Sequence, residues 1–459
     1  MQPPPMAADL RSASVPRRQL GLWDATSIIV GIIIAAGIYR SSPNIAALAP
    51  NVSWLLGVWL LGGLLSLVGA LCYAELATAY PHAGGDYVYL TRALGRPVGF
   101  LFAWSQLWIV RPGSIGAMAY VFADYANRIW PRAEGPHLTP VLVAYAAGAV
   151  VALSAVNYLG IREGKWTQNE LTAAKVIGLL AVVLVGLAYT APLMPPTGTI
   201  GPLKSLKSLW SDFGLAMILV LFTYGGWNEM AFVAAEVRHP RRNIVRALLL
   251  GTLAVTAIYL LVNAAFLHAL GLAGARHATP ATDVLELAIG RWAGCAISIL
   301  ICVSALGAIN GQVFTGARIY YAMGTDHRLY SWLGRWDARR EQPIRSLLVQ
   351  AVVTLALVIA FGSTPDGFES MVIFTTPAFW FFLMLVGVSL FVLRRRDPQT
   401  ERPYRVPGYP VTPIVFCLCS ALMVYASVAY AVEHRSWEAI WSIAILLVGA
   451  GLSLYGRKL

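Results

Sequence analysis

Two short stretches of this 459-residue chain place glycine in the middle of a long apolar run. Each could do binding chemistry with its own main chain. The first reads Gly31-Ile-Ile-Ile-Ala-Ala-Gly37-Ile-Tyr39-Arg40-Ser-Ser-Pro43, and the second Leu221-Phe222-Thr-Tyr224-Gly225-Gly226-Trp227-Asn228. A helix broken at such a point frees N–H and C=O groups that lipid cannot satisfy, so the break is tolerable only around a polar cargo. Freed N–H groups at the start of a half-helix suit a carboxylate. Freed carbonyls suit an ammonium group, and the two together fit the zwitterionic head of a free amino acid. Glycine also lets membrane helices approach closely, and either stretch alone fits that reading too. Their recurrence at matching places, five apolar runs apart, is the pattern of inverted repeats with discontinuous helices.

Charged residues inside apolar runs form the second group of candidates, because an intramembrane charge is costly and should face a polar interior. Lys175 sits about two turns into the fifth run, and Arg111-Pro112 in the middle of the third. Arg111 fits either an anion contact for an acidic side chain or a structural role on the proline-freed carbonyl. Glu229 follows Asn228. It suits proton coupling, since burial raises a carboxyl pKa, and equally an ion pair with an arginine. Glu75 and Glu236, near helix ends, suit contacts with basic loops. His268 carries no role. No catalytic residue, metal ligand set or cofactor motif emerges, because the seven histidines are scattered and mostly in loops.

These residues need a scaffold, and composition supplies its class. The chain is 58% hydrophobic and 12% charged, with a mean hydropathy of +0.65. A soluble domain carries roughly 25% charged residues, so a soluble enzyme, a disordered chain and a secreted disulfide scaffold are excluded. Apolar runs bounded by Pro, Gly and charge clusters predict twelve membrane helices: 21–48, 53–80, 98–126, 140–158, 168–190, 211–237, 243–271, 284–318, 346–362, 369–393, 411–431 and 437–456. The longest loop between them, 319–345, is mostly basic and polar. The net charge of +12 then reads as basic cytoplasmic loops rather than nucleic-acid binding. With the N-terminus inside, 24 of the 34 Lys and Arg residues fall on the inner side and 8 on the outer. Both termini are therefore expected in the cytoplasm of a multi-pass cell-membrane protein. The five cysteines lie in apolar segments at no metal spacing.

The wording of these segments resembles the amino acid–polyamine–organocation superfamily, in particular the L-type amino acid transporters, over about residues 20–430. The stretch around Gly37 is similar to the family's Gly-Ser-Gly-Ile-Phe motif, although Ala35-Ala36-Gly37 and Tyr39 stand in its place. Gly69-Ala-Leu-Cys-Tyr-Ala-Glu75-Leu and Gly84-Gly-Asp-Tyr-Val-Tyr89 resemble the end of helix two and the loop after it. Arg111-Pro112 with Val121-Phe-Ala-Asp-Tyr125 resembles helix three. Ala155-Val-Asn157 and Ala173-Ala-Lys175 resemble helices four and five, and Phe222 to Asn243 resembles the broken sixth. Ser304-Ala-Leu-Gly307-Ala-Ile-Asn310-Gly with Thr315 and Arg318 resembles helix eight, and Glu401-Arg-Pro-Tyr-Arg405-Val-Pro the loop after helix ten.

The resemblance implies an all-α membrane protein of about twelve helices with a leucine-transporter-type 5+5 inverted repeat, broken in helices one and six. The expected divisions are a cytosolic tail at 1–20, repeats at 21–190 and 211–393, and two further helices with the C-terminus at 411–459. Carried over by position, backbone N–H groups of Ala36 and Gly37 would hold a substrate carboxylate. Carbonyls of Ile33, Phe222 and Gly225 would hold its amine. Phe222 would close the site, and Asn228 would line it. Trp380 and Phe381 are further pocket candidates, and Ile33, Phe222, Thr223 and Trp380 would make the side-chain subsite mostly apolar. Lys175 resembles a family lysine that implies sodium independence, and it should bridge helices one and eight near Ser304.

The function expected is alternating-access transport of neutral L-amino acids by sodium-independent exchange. A proton-coupled symporter and a non-transporting sensor are the alternatives. The partners expected are small amino acids and the lipid bilayer, with no nucleic acid and no cofactor. Animal members join a heavy chain through a cysteine in the loop after helix three. Residues 127–139 hold none, so no disulfide-linked heavy chain is expected.

Overall fold

The structure is a computed structural model that describes residues 17–35, 37–131, 138–189, 206–277, 279–362, 367–433 and 436–455. Sixteen α-helices are described. The first ten are α1 (Leu22–Ile33), α2 (Gly37–Leu48), α3 (Val52–Ala79), α4 (Asp86–Leu94), α5 (Arg96–Ser105), α6 (Arg111–Ile129), α7 (Leu138–Leu159), α8 (Ile161–Ala188), α9 (Leu206–Thr223) and α10 (Pro240–Ala275). The remaining six are α11 (Pro280–Ile289), α12 (Ala293–Asp326), α13 (Ile344–Phe361), α14 (Gly367–Arg396), α15 (Val411–Glu433) and α16 (Trp437–Tyr455). A π-turn, Gln106–Val110, joins α5 to α6, and a 3₁₀ segment, Trp227–Glu236, follows α9.

Each of the twelve apolar runs meets a helical segment. Nine among the described residues are long and apolar enough to cross a bilayer, and α1 with α2, bent by 48°, makes a tenth. The third run is the α5–π-turn–α6 rod. The twelfth, α16, is a shorter apolar helix. The eighth run differs from expectation: 284–318 is divided at Gly290, whose φ of +55° ends α11. The run then resumes as α12, which continues to Asp326 and shortens the basic loop. The fifth run starts earlier than expected, at Ile161 behind Gly160.

Both breaks lie where glycine interrupts the runs. In the first, Ile34 and Ala35 leave the helix after Ile33, and Gly37 opens α2; Ala36 lies outside the described residues. In the second, α9 stops at Thr223 and the chain turns through Tyr224, Gly225 and Gly226. Gly226 has a φ of +123°, and a Cβ there would lie 2.9 Å from the Ile32 side chain. A Cβ at Gly37 already meets Thr223 at 3.2 Å. The two breaks therefore cross at a separation that larger residues would oppose.

Polar side chains tie α7, α12 and α8 together and α8 to α1. Asn157 on α7 donates to Asn310 on α12 at 2.8 Å, and Asn310 donates to Gln168 on α8 at 3.0 Å. One turn on, Thr172 donates to the Ser27 carbonyl at 3.1 Å. The ends of the described chain share one face. The Gln19 and Leu20 amides donate to the Glu236 carbonyl at 2.8 and 2.9 Å, Arg17 faces Glu341, and Ser453 reaches the Pro97 carbonyl.

Candidate substrate cavity at two broken helices

The two breaks line one cavity of about 150 Å³. Ile32, Ile33, Ala35 and Gly37 come from the first, and Phe222, Thr223, Gly225 and Gly226 from the second. Asn228 and Glu229 continue the second wall, while Trp380 and Phe379 on α14 and Met118 on α6 supply apolar surface opposite. Buried tyrosines hold the breaks open. The Tyr259 hydroxyl is shared between the Ile33 carbonyl (2.9 Å) and the Thr223 carbonyl (3.3 Å). The Tyr224 hydroxyl donates to the Trp59 carbonyl at 3.1 Å, and the rings of Trp59, Tyr224 and Tyr259 pack at centroid separations of 5.1–6.0 Å. Main-chain groups that leave a helix inside a membrane protein thus find protein partners.

The carbonyls differ in what they have left to offer. Ile33 O already accepts from Tyr259 and from the Ala35 amide at 2.7 Å, which uses both of its lone pairs. Phe222 O accepts from the Gly225 amide at 3.1 Å and keeps one lone pair free.

Arg111 and Glu229 meet at the cavity wall, Nη1 to Oε2 at 2.7 Å, with both side chains buried. The π-turn before Arg111 lets its Nε donate to Gln106 Oε1 at 3.2 Å. Thr315 donates to Glu229 Oε2 at 2.6 Å, and the Phe232 ring lies 4.8 Å from the guanidinium. A buried pair needs such additional bonds to offset desolvation. The cavity is therefore lined by a satisfied, net-neutral pair, not by a free charge. Gln312 also lines it, with a buried Oε1 that has no hydrogen-bond partner. Thr375 and Thr376 spend their hydroxyls on the Met371 and Val372 carbonyls.

Lys175 lies behind this wall, fully buried. Its Nζ donates to the Gly31 carbonyl (2.7 Å), the Ile34 carbonyl (2.9 Å) and the Ser304 carbonyl (3.0 Å). The ammonium bridges the end of α1 to α12 and satisfies carbonyls that the first break leaves behind. The Ser304 hydroxyl itself makes no hydrogen bond.

Contacts span both ends of the cavity. On the face of the termini, Arg318 on α12 pairs with Glu236 at 2.7 Å, fully buried. The chain before α1 joins the end of the 3₁₀ segment through Arg238 N to Leu20 O at 2.8 Å. On the other face, the Arg40 guanidinium of α2 lies 4.3 Å from the Phe368 ring of α14. Glu75 belongs to neither closure. It receives Arg394 at 2.6 Å and the Val406 amide at 2.7 Å, which pins the loop after α14. His268 donates from Nδ1 to the Gly186 carbonyl at 3.0 Å, tying α10 to α8.

Of the residues singled out from the sequence, the structure brings Ile33, Gly37, Phe222, Gly225, Asn228, Glu229, Arg111 and Trp380 to one cavity. It places Lys175 and Ser304 beside it. Ala36 lies outside the described residues. Phe381 is 38% exposed and faces away from the interior. Sequence reading missed Gln106, Ser114, Gln312, Thr375 and Thr376 among the lining residues, and Tyr259 behind it. The π-turn at Gln106 follows no simple residue rule. Gln312, one residue after the Asn310-Gly motif, could have been found by its polarity in an apolar run.

Comparisons with known proteins agree with this architecture. The family described as amino acid permease matches residues 20–450. The human b(0,+)-type amino acid transporter 1 is 29% identical over 441 residues, covering 94% of this chain and 86% of the relative. The serine/threonine exchanger SteT of Bacillus subtilis is 31% identical over 408 residues, 87% and 88% of the two chains. The human large neutral amino acids transporter small subunit 2 is 28% identical, with 90% and 76% covered. With two broken helices around one cavity and a match along nearly its whole length, the chain belongs to the amino acid permease family of multi-pass membrane proteins.

Proposed function

We propose that this chain is a carrier that exchanges neutral L-amino acids across the cell membrane by alternating access, with both termini in the cytoplasm. The observation that carries the reading is that two main-chain breaks from different parts of the sequence line one cavity. The amide N–H of Gly37, which opens α2, holds the cargo carboxylate, with the half-helix dipole adding to the attraction; Ala36, the other amide expected from the sequence, lies outside the described residues. The free lone pair of Phe222 O and the carbonyl of Gly225 take the ammonium. Ile33 contributes shape rather than an acceptor, because its carbonyl is engaged. Phe222 closes over the cargo, and Trp380 with Met118 receives its apolar side-chain atoms.

The repeats are taken as 21–190 and 211–393, each opening with a broken helix. Cytoplasmic termini follow from the basic bias of the loops on that face. Neutral cargo fits a wall whose only charged side chains among the described lining residues, Arg111 and Glu229, neutralise each other. Sodium independence follows from Lys175, whose ammonium joins α1 to α12 and leaves three carbonyls already occupied. Exchange is favoured by the relative named as a serine/threonine exchanger. The chain works without a disulfide-linked heavy chain, since 127–139 holds no cysteine. Proton symport is less favoured, because Glu229 is committed to Arg111 and Thr315.

Counterflow in proteoliposomes, with a panel of unlabelled amino acids inside, tests the reading. Trans-stimulation by neutral L-amino acids is expected, unchanged when choline replaces sodium. Strict sodium dependence would overturn the role of Lys175, and binding without any flux would favour a sensor.

A further inference from the structure

A second cavity, of about 430 Å³, opens on the face opposite the termini. It is bounded by α2, the end of α6, the start of α11 and the start of α12. Its polar lining is Tyr39, Tyr125, Arg128, Thr279, Thr282 and Ser298. Arg128 is the only charged side chain among the described lining residues, and its guanidinium lies 4.4 Å from the Tyr125 ring. Of the nearest carboxylates along the chain, neither Asp124 nor Asp283 lines the cavity. Asp283 is occupied by His277 at 2.9 Å, and Asp124 is engaged in an interaction of its own.

Tyr39 supplies the second observation. It lines the cavity at 8% exposure, and its hydroxyl is buried without a hydrogen-bond partner. The Ser304 hydroxyl lies close enough to act on that of Tyr39, but neither hydroxyl makes a hydrogen bond of ordinary length and angle. A buried hydroxyl left unpaired costs free energy comparable to a lost hydrogen bond, so Tyr39 has a donor to give to a ligand.

We propose that this cavity is a vestibular anion site that takes the carboxylate of the incoming amino acid before it reaches the central cavity. The inference rests on the carrier reading above. Arg128 at the mouth attracts the carboxylate, and the Tyr39 hydroxyl, deeper in, donates to it. The positions suit a relay. Tyr39 and Gly37 lie on the same helix, α2, two residues apart, and Gly37 lines the central cavity. A cargo held at Tyr39 is therefore in contact with the half-helix whose first amides receive it next.

Cys295 is exposed and lines the vestibule, so it reports occupancy without any need for transport. The experiment measures the labelling rate of Cys295 by a membrane-impermeant maleimide in the reconstituted full chain, with Cys295→Ser as the blank. Sodium acetate is the probe, because it carries a carboxylate and lacks the ammonium that the central site requires. Acetamide and sodium chloride at matched concentration are the controls. Labelling should slow by a factor of 1 + [acetate]/Kd, about twofold at half occupancy. Acetamide and chloride should leave the rate unchanged. Protection should vanish in Arg128→Gln and weaken in Tyr39→Phe.

A thiol that does not label would show the cavity closed to water and overturn the proposal. So would equal protection by chloride, or protection that survives Arg128→Gln. Counterflow on the same vesicles separates the two readings. Flux without acetate protection removes the vestibular site alone, and protection without flux removes the carrier reading and with it the relay, leaving a bare anion site.

Discussion

The Tyr259 hydroxyl donates to the Ile33 carbonyl at 2.9 Å, at the last turn of α1. The same oxygen lies 3.3 Å from the Thr223 carbonyl, at the last turn of α9. One phenol on α10 thus clamps both half-helices where they end. Tyr259→Phe keeps the ring packing against Trp59 and Tyr224 and leaves these carbonyls short of a donor. A loss of about 1–3 kcal/mol of stability is expected, read as a lower melting temperature in detergent, together with slower counterflow. Unchanged melting and flux would show that the clamp does not hold the breaks.

Phe222 lines the central cavity from the second break and is only partly buried. Phe222→Ala should reduce counterflow by tenfold or more, which is about 1.4 kcal/mol in the barrier, and change equilibrium binding less. The two are compared by initial exchange rate and by scintillation proximity binding on the same preparation. Equal losses in both would make Phe222 a contact and not a lid.

The Arg111–Glu229 pair is buried at the cavity wall, 2.7 Å apart. Removing one partner strands the other, at a cost of about 3–5 kcal/mol. Arg111→Leu and Glu229→Leu should each lower thermal stability sharply. The double variant should recover a large part of the loss. Additive losses in the double variant would show that the two side chains act independently.

Asp86 opens α4, a helix outside the spans on the face of the termini. Burial pushes its carboxyl up to about 8. The Tyr73 hydroxyl, donating to Oδ2 at 2.8 Å, pulls the other way; Glu229 adds to the rise, and Arg111 opposes it. The folded state thus binds the proton more tightly than the unfolded chain, where the carboxyl titrates near 3.8. This contribution to stability is fully present below the unfolded value and is lost as pH rises through about 8. Melting curves between pH 6 and 9 should show a decline that Asp86→Asn flattens. An equal slope in both proteins would place the charge elsewhere.

Much of the architecture is legible in the sequence, because bilayer crossing imposes long apolar runs and a broken run needs glycine at mid-depth. Gly37 and Gly225-Gly226 mark the breaks, and Lys175 announces a polar interior simply by being charged. What stayed hidden depends on contacts distant along the chain. Tyr259 looks like any membrane-helix tyrosine until the two carbonyls converge on it from residues 33 and 223. The Arg111–Glu229 pair joins residues more than a hundred positions apart, so each had two open readings alone. The division of the eighth run at Gly290 was masked because apolar residues continue on both sides of it.

The most direct measurement is competition for binding by three molecules that share one side chain: an L-amino acid, its decarboxylated amine and its deaminated acid. If two bare main-chain ends grip both poles of the cargo, only the intact amino acid should displace a bound neutral L-amino acid, and Gly37→Leu should abolish the displacement. Equal displacement by the amine or the acid, or full affinity in Gly37→Leu, would contradict the account.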